Sequence, residues 1–378
     1  MLPDRLPLVL PPHPPRFAYV DLIRGLSALI VLVCHYRWFF AQGVRDWRKD
    51  APLPLYDWLW PIYDHGGIAV QMFWILSGFV FTVAYGAQGP RLDQREFWVH
   101  RIARLYPLHF VTLVAIALLQ LLSVRLTGQW TVEDNNDLPH FIAQLFFASN
   151  WFTLEGSFNG PIWSVSVEVL IYFVFVVYLK RAGLSVSLAI GLAAVGAVVE
   201  LATDNPIALC LALFFAGVAI GIVAPQVQQL LGRKLVPVAA ATLVAAIGIC
   251  FVVDEAGYPG MVRMAAVYLG TPAVLLLFIA LDYNCPPLTP RLHWVGAITY
   301  SVYLLHFPIL IVLMLAFGSA LDPVLPSPVT LAAWVALVIL ASLATYRWLE
   351  LPAQRFIRQR WARPRIDVAA IRAEQAAP

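Results

Sequence analysis

The chain has 378 residues, of which 61% are hydrophobic and 12% are charged, and its net charge at neutral pH is +3. Together with a mean hydropathy of +0.76, this composition excludes an ordinary soluble domain and indicates an integral membrane protein. Many of the 13 Trp, 14 Tyr and 22 Phe lie near the ends of apolar runs, as is typical of aromatic residues at a membrane interface.

Apolar runs of about 20 residues, the length that crosses the hydrocarbon core, recur along the whole chain. They predict an all-α integral membrane protein, a bundle of about ten transmembrane helices, because barrel strands would alternate apolar and polar residues. The predicted spans lie near 19–40, 67–86, 106–126, 162–180, 184–202, 206–225, 236–254, 263–282, 294–316 and 328–349. The predicted domains are a Pro-rich tail over 1–16, a transmembrane domain over 17–350 and a basic tail over 351–378.

Basic residues predict the orientation, because Lys and Arg are retained on the cytoplasmic side of a membrane. With the N-terminus inside, 18 of the 25 Lys and Arg fall on the cytoplasmic side and six fall outside, while Arg24 lies within the first span. We therefore expect both termini in the cytoplasm. The basic tail is expected to act as a solvated stop signal that touches anionic lipid.

Common catalytic signatures are absent from the sequence, including Gly-rich phosphate loops, His-Glu-x-x-His, Gly-x-Ser-x-Gly and Cys-x-x-Cys. The four cysteines are far apart and show no metal-ligand spacing, so no metal is expected. Any chemistry is therefore expected from ionisable residues inside the spans. Such residues are costly in lipid and mark functional sites by default.

The first span carries Asp21, Arg24 and His35. Arg24 and His35 are separated by about three helical turns, roughly 16 Å, and so share one helix face, with Arg24 nearer the cytoplasm. The histidine is a candidate base and the arginine a candidate ligand for an anionic donor. The alternative is an arginine that pairs with Asp21 and a histidine that hydrogen-bonds a neighbouring helix.

Two motifs of the next spans have structural alternatives. Ser77 and Gly78 interrupt bulky residues in the second span and permit either close helix approach or an unwound stretch, of which close packing is favoured. Arg101 and Arg104 share a helix face just before the third span, where two guanidinium groups suit a phosphorylated ligand. Taken alone, these arginines are better explained as basic anchors at the cytoplasmic boundary.

Glu168 lies about two turns into the fourth span, and His306 lies near the middle of the ninth. By depth, both approach the level of His35, so three ionisable groups from three helices are expected to meet. A carboxylate beside an imidazole orients it and raises its basicity, as deprotonation of a hydroxyl requires, although Glu168 could also be a structural partner. Polar and aromatic neighbours in these two spans are Trp163, Ser164, Tyr300, Ser301 and Tyr303.

Taken together, these motifs resemble the membrane-bound acyltransferase-3 family, bacterial proteins that O-acylate carbohydrates and other cell-surface or secreted molecules. The residues that carry the resemblance are Asp21-x-x-Arg24-Gly25-x-x-Ala28 with His35, Phe73-Trp74-x-x-Ser77-Gly78-Phe79, Arg101-x-x-Arg104-x-x-Pro107, Trp163-Ser164-x-x-x-Glu168 and Tyr300-Ser301-x-Tyr303-x-x-His306. Each motif is weak alone, but their order across nearly the whole chain is specific.

The resemblance implies ten transmembrane helices in a bacterial inner membrane and acyl-CoA, usually acetyl-CoA, as a donor taken from the cytosol. It implies that His35 is the essential residue of the first helix and that Arg24, Arg101 and Arg104 form the donor site. The resemblance leaves the roles of Ser77, Glu168, Tyr303 and His306 less settled. Further candidates for substrate binding or support of the site are Asp21, Trp163, Ser164, Tyr300 and Ser301. The expected partners are acyl-CoA, a carbohydrate or cell-envelope acceptor and the lipid bilayer, without nucleic acid. The oligomeric state is left open.

The expected reaction begins when His35 deprotonates an acceptor hydroxyl, with Glu168 holding the imidazole tautomer. The hydroxyl then attacks the thioester directly, or the acyl group passes first to the protein; the sequence leaves both routes open. A transporter or flippase for a polar or lipid-linked substrate is the alternative, because ionisable residues also mark translocation pathways. Against it, the two halves of the chain show no internal repeat. The number of intramembrane charges disfavours a purely structural subunit.

Overall fold

A computed structural model describes residues 17–43, 46–47, 51–152, 156–286 and 293–361. The N-terminal tail over 1–16 and the basic residues beyond 361 lie outside the described residues. Within the described chain, the only strands are β1 (Ala41–Gly43) and β2 (Asp46–Trp47), which pair antiparallel. The prediction of an all-α membrane bundle is confirmed.

Sixteen α-helices account for most of the described residues. In chain order they are α1 (Ala18–Cys34), α2 (Tyr56–His65), α3 (Ile68–Tyr85), α4 (Gln94–Thr127), α5 (Leu138–Leu145), α6 (Ser149–Phe152), α7 (Ile162–Ala182), α8 (Val186–Thr203), α9 (Pro206–Leu231), α10 (Leu235–Glu255), α11 (Pro259–Ala265), α12 (Thr271–Asn284), α13 (His293–Ala297), α14 (Thr299–Phe317), α15 (Pro328–Thr345) and α16 (Leu351–Trp361). Two of them are extended by 3-10 turns that bear on the site, His35–Phe40 after α1 and Gly86–Arg91 after α3.

Nine segments of the described chain are long and apolar enough to cross a membrane. One of them, Pro206–Glu255, has 50 residues, about 75 Å of helix and more than twice the hydrocarbon thickness. The segment divides at Gly232, whose φ of +51° ends α9. It therefore comprises two spanning helices, α9 and α10, as the sequence predicted. The short apolar run over 141–147 falls on α5, which has only eight residues and does not span.

Two helices are longer than their apolar runs. The third spanning helix starts at Gln94 rather than near 106, because the Asp93 carboxylate accepts hydrogen bonds from the backbone N–H groups of Arg95 and Glu96 and caps a polar first half. The last spanning helix continues from α15 through a π-helical turn, Tyr346–Glu350, into α16 and ends at Trp361. This turn brings Glu350 into the bundle, where it is 1% exposed.

Close helix contacts hold the bundle together at three glycine positions. A methyl group added at Gly217 of α9 would lie 2.0 Å from the backbone oxygen of Ile75, and one at Gly78 of α3 would lie 1.8 Å from that of Phe214. The predicted close approach at Ser77-Gly78 is therefore confirmed, with α9 as the partner. Gly25 likewise lets α1 approach Val295 of α13.

The start of α1 is fixed by a carboxylate from another helix. Asp282 of α12 accepts hydrogen bonds from the backbone N–H groups of Tyr19 and Val20, at 2.9 and 3.0 Å. Helix N-termini present unpaired N–H groups and favour negative charge. This contact fixes the end of the helix that carries Arg24 and His35.

Replacement of Gly217 by alanine is expected to destabilise the protein, because the added methyl group forces α9 away from α3. The matched control is Gly248→Ala in α10, where a methyl group meets nothing within 4 Å and alanine favours the helix by up to about 1 kcal/mol. Thermal unfolding in detergent checks this prediction. A Gly217→Ala protein that unfolds at or above the temperature of Gly248→Ala would contradict the proposed helix contact.

Candidate active site

Two cavities lie within the bundle and carry most of the predicted site residues. The histidine cavity, about 560 Å³, is lined by residues that include His35, Trp38, Gln71, Trp74, Glu133, Asn150, Trp163, Glu200 and Arg263. The arginine cavity, about 150 Å³, is lined by residues that include Arg24, Phe73, Trp74, Ser77, Arg101, Arg104, Ser164, Glu168, Tyr172, Tyr300 and Tyr303. The motifs of α1 are thus divided, with His35 at one cavity and Arg24 at the other.

Trp74 forms a wall between the two cavities. Its side chain lines both of them and is 1% exposed. The indole N–H donates to the backbone oxygen of Ser164 at 3.3 Å, and the ring meets Trp163 edge to face at 5.7 Å. Trp163 lines the histidine cavity and Ser164 the arginine cavity. These contacts hold a wall one side chain thick.

Tyr303 ties α14 to this wall. Its hydroxyl shares a hydrogen bond with the Ser164 hydroxyl at 2.6 Å and donates to the backbone oxygen of Pro161 at 3.0 Å. Its ring lies 6.0 Å from Phe73 and 6.2 Å from His306. The predicted residues Ser164, Tyr303 and His306 are therefore brought together around the wall.

His306 is the contact that orients His35. The Nδ1 atom of His35 lies 2.7 Å from Nε2 of His306, and Nδ1 of His306 lies 3.0 Å from the backbone oxygen of Val302. A carbonyl oxygen only accepts, so Nδ1 of His306 must carry its proton and its Nε2 must accept. Nδ1 of His35 then donates, which leaves the lone pair of a neutral His35 on Nε2. This tautomer is what a general base requires.

Glu168 takes a different position from the one expected. It does not hold the imidazole of His35; its Oε1 accepts a hydrogen bond from the Tyr172 hydroxyl at 2.7 Å, and it also contacts Ser77. The carboxylate lines the arginine cavity with Arg24 and Arg101. Position along α7 predicts how deep Glu168 lies but not which way the helix is rotated. The observed rotation directs Glu168 to the other side of the Trp74 wall.

The three arginines have different partners. Arg24 pairs with Asp21 at 3.1 Å, the contact that the sequence offered as an alternative. Arg101 forms no ion pair with a carboxylate among the described residues. Its Nη2 donates to the Tyr85 hydroxyl at 3.0 Å, and its guanidinium lies 4.7 Å from the centre of the Phe81 ring. A cation held by aromatic groups keeps its charge available to an anion.

Arg104 forms an ion pair that the sequence did not reveal. Its Nη1 donates to Glu350 at 2.9 Å, and its Nη2 donates to the backbone oxygen of Ala297 at 3.1 Å. Ser301 donates to the other oxygen of Glu350. Tyr300 lies beneath the Arg104 guanidinium and donates to the backbone oxygen of Leu105. Tyr300 and Ser301 thus support Arg104 from α14.

Several cavity residues were missed by the sequence reasoning. Glu350 lies at the end of the last apolar run, where a carboxylate is typical of a membrane boundary. The free-energy cost of burying a carboxylate in lipid was the available signal. Glu133 and Glu200 are 6% and 4% exposed and line the histidine cavity, as do Gln71 and Asn150. Glu133 lies in a loop and carries no spacing signal. Gln71 and Glu200 lie within α3 and α8, where the cost of a polar group in lipid was the available signal.

The arrangement offers a base and a cation cluster on opposite sides of one aromatic wall. Nε2 of His35 has no hydrogen-bond partner among the described residues. Arg24, Arg101 and Arg104 all line the other cavity. In the described part of the chain, no group of three or more His, Cys, Asp or Glu has the geometry to hold a metal ion. The side chains present suit proton transfer and the binding of a phosphorylated or carboxylated molecule.

Comparison with known proteins gives the family. The acyltransferase-3 family model, described as an acyltransferase domain, matches residues 17–347. Acyltransferase MdmB of Streptomyces mycarofaciens is 29% identical over 171 residues, which cover 44% of this chain and 40% of the relative. Peptidoglycan O-acetyltransferase OatA of Listeria monocytogenes is 23% identical over 339 residues, which cover 77% of this chain and 49% of the relative.

The chain spans less than half the length of both relatives, and no solved structure matches it. The family match, in contrast, includes all of α1 to α14 and every motif that lines the two cavities. The chain therefore belongs to the acyltransferase-3 family.

Proposed function

We propose that this protein is a membrane O-acyltransferase that moves an acyl group, acetyl in the simplest case, from cytosolic acyl-CoA to a hydroxyl of a carbohydrate or other cell-envelope acceptor. The observation that carries the proposal is the hydrogen bond between His35 and His306 at a cavity that shares the Trp74 side chain with the cavity of the three arginines. Family membership supports the acyl transfer. One relative is named as a peptidoglycan O-acetyltransferase, which supports a glycan acceptor.

The arginine cavity is the donor side of this proposal. Guanidinium groups bind phosphates through paired hydrogen bonds, and coenzyme A carries several phosphates at the end remote from its thioester. Arg101 and Arg104 lie in the half of α4 that the excess of basic residues assigns to the cytoplasm. A cavity of about 150 Å³ is smaller than the pockets that enclose drug-sized molecules, so it takes only part of the donor. The phosphates bind at Arg101 and Arg104, the acyl end points towards Trp74, and the rest of coenzyme A lies outside the cavity. The same charge bias supports cytoplasmic termini, and the proposal includes the inner membrane of a bacterial cell as the location.

His35 is the base of the reaction. In the reacting complex the Trp74 indole turns aside, so that the two cavities meet. Nε2 of His35 then removes the proton from an acceptor hydroxyl, and the hydroxyl oxygen attacks the thioester carbonyl. The C–S bond then breaks, the CoA sulfur takes the proton from His35, and the products are an ester and the free CoA thiol. Through the whole cycle Nδ1 of His35 donates to His306, so the ring keeps one orientation. Glu168 stays on the donor side, where it faces Arg24 and Arg101.

The two cavities also suit a second function, that of a transporter. A transporter opens its substrate site to one side of the membrane at a time, which requires a barrier between the two cavities. Trp74 supplies such a wall. The two proposals differ in whether a covalent bond of the donor is broken.

Replacement of His35 by alanine is expected to lower acyl transfer by about 10²- to 10⁴-fold, the contribution of a general base. His306→Gln should lower transfer less, because the base remains and the glutamine amide oxygen only partly replaces the Nε2 acceptor that orients it. His109→Gln is the matched control, since His109 is a fully buried histidine outside both cavities. Transfer of radiolabelled acetyl from acetyl-CoA by purified protein measures the three rates. Full transfer activity of a folded His35→Ala protein would contradict the role of His35 as the base. Absence of transfer by the unmodified protein would leave the transporter.

The ion pair of Arg104 with Glu350 allows the role of Arg104 in donor binding to be separated from its role in stability. Either single change, Arg104→Glu or Glu350→Arg, leaves a charge in the bundle without its partner, which costs about 3–5 kcal/mol of stability. The double change restores an ion pair of opposite orientation and is expected to restore much of the melting temperature. It should not restore donor affinity, so KM for acetyl-CoA stays at least about tenfold raised. Recovery of both quantities would mean that Arg104 is only structural.

Removal of the Trp74 side chain should allow hydrolysis of the donor without transfer to the acceptor. Trp74→Ala joins the two cavities and admits water, which attacks the thioester in place of the acceptor and yields a free acid and the CoA thiol. The expected result is a rise in the ratio of hydrolysis to transfer. Trp334→Ala is the matched control, because Trp334 is also buried, at 3% exposure, but lines neither cavity; both changes cost similar packing energy, about 3–5 kcal/mol. The same ratio in both variants would contradict a separating role for Trp74.

A further inference from the structure

A second opening adjoins the histidine cavity. This distal groove, about 490 Å³, is lined by Leu201, Gly257, Tyr258, Pro259, Gly260, Met261 and Met264, together with Glu200, Asp204 and Arg263. The last three residues line the histidine cavity as well. The two spaces are therefore neighbours, and Glu200, Asp204 and Arg263 form a junction between them.

The junction is built around one arginine. Nη2 of Arg263 donates to Glu200 at 2.7 Å and to Asp204 at 2.9 Å, and the Tyr268 hydroxyl donates to the other oxygen of Glu200 at 2.8 Å. Glu200 is 4% exposed and fully engaged. The side chains of Arg263 and Asp204 are instead 53% and 82% exposed. Among the described residues, Nε and Nη1 of Arg263 and the second oxygen of Asp204 have no hydrogen-bond partner, so they can contact a ligand.

This chemistry suits neighbouring hydroxyl groups, which donate to a carboxylate and accept from a guanidinium at the same time. Aromatic faces accompany the junction on both sides, with Trp38 and Trp163 in the histidine cavity and Tyr258, 59% exposed, in the distal groove. Aromatic rings provide flat apolar surfaces against which the C–H faces of a sugar ring can pack. Exposed polar groups that alternate with aromatic groups are expected where an extended, hydroxyl-rich molecule lies.

Size favours a molecule of more than one sugar unit. Pockets for drug-sized molecules measure about 300–1000 Å³, so the histidine cavity at 560 Å³ already exceeds the needs of one monosaccharide. The distal groove adds a comparable volume beyond the junction. A single sugar beside His35 would leave the junction and Tyr258 without contacts.

We propose that the histidine cavity and the distal groove together bind an extended, polyhydroxylated acceptor, a glycan chain of several sugar units. The reacting unit lies beside His35, and the following units cross the junction and pack on Tyr258. This inference rests on the proposed acyltransferase function and adds to it the length of the acceptor and a distal subsite. Asp204, Arg263 and Tyr258 determine the preference for length and take no part in the chemistry.

The test compares acceptors of different length on the purified full chain in detergent, with radiolabelled acetyl-CoA as donor. The acceptors are N-acetylglucosamine and its β-1,4-linked dimer and tetramer. We expect kcat/KM to rise at least about tenfold from monomer to tetramer. Tyr258→Ala should remove most of that rise and leave the monomer unchanged, and Asp204→Asn, at the junction, should remove part of the rise. Asparagine is chosen because Asp204 has a φ of +51°, a conformation that Asn tolerates well.

The matched control is Asp322→Asn, which removes an exposed carboxylate from the loop after α14, outside all three spaces. Equal kcat/KM for monomer and tetramer would overturn the distal subsite while the acyltransferase proposal stands. Equal losses on both acceptors in the Tyr258→Ala protein would also overturn it, since a structural or lipid-facing role affects all acceptors alike. Release of acetate from acetyl-CoA without transfer to any of the sugars would overturn a glycan occupant. Absence of both transfer and hydrolysis would contradict the proposed function itself.

Discussion

A polar side chain within a membrane-spanning helix must find its partner on a neighbouring helix, because the hydrocarbon core offers no water. This constraint explains the arrangement of the bundle around α14. His306 of α14 meets His35 at the end of α1, and Tyr303 meets Ser164 of α7. One turn earlier, Ser301 supports Glu350, which pairs with Arg104 of α4. Each of these polar contacts also fixes a residue of the candidate site.

Close packing of α3 against α9 is the second constraint on the candidate site. Gly78 and Gly217 bring α3 and α9 into backbone contact, which fixes the position of Trp74 one turn before Gly78. The bulky aromatic groups then fill one side of α3, where Phe81 packs against Phe97, Phe175 and Phe214. A rigid α3 is what allows a single indole ring to separate two cavities. Stability and the isolation of the two cavities therefore depend on the same helix contact.

Much of the fold could be predicted from the sequence, because apolar runs report membrane spans directly. The separation of Arg24 from His35 also predicted correctly that they lie at different levels, since helix rise is fixed. The partner of His35 was harder to predict. The sequence predicts similar depths for Glu168 and His306, and the choice between them depends on the rotation of α7 and α14, which packing sets. Glu350 was missed for a related reason: the π-helical turn that directs it inward has no signature in the residue pattern.

The central claim is that acyl-CoA occupies the arginine cavity with its thioester against the Trp74 wall, across from His35. The most direct measurement is an experimental structure of the full chain with a non-hydrolysable thioether analogue of acetyl-CoA. The account predicts phosphates beside Arg101 and Arg104 and an acyl end in contact with Trp74. An analogue whose phosphates lie in the histidine cavity, or whose acyl end points away from Trp74, would contradict it.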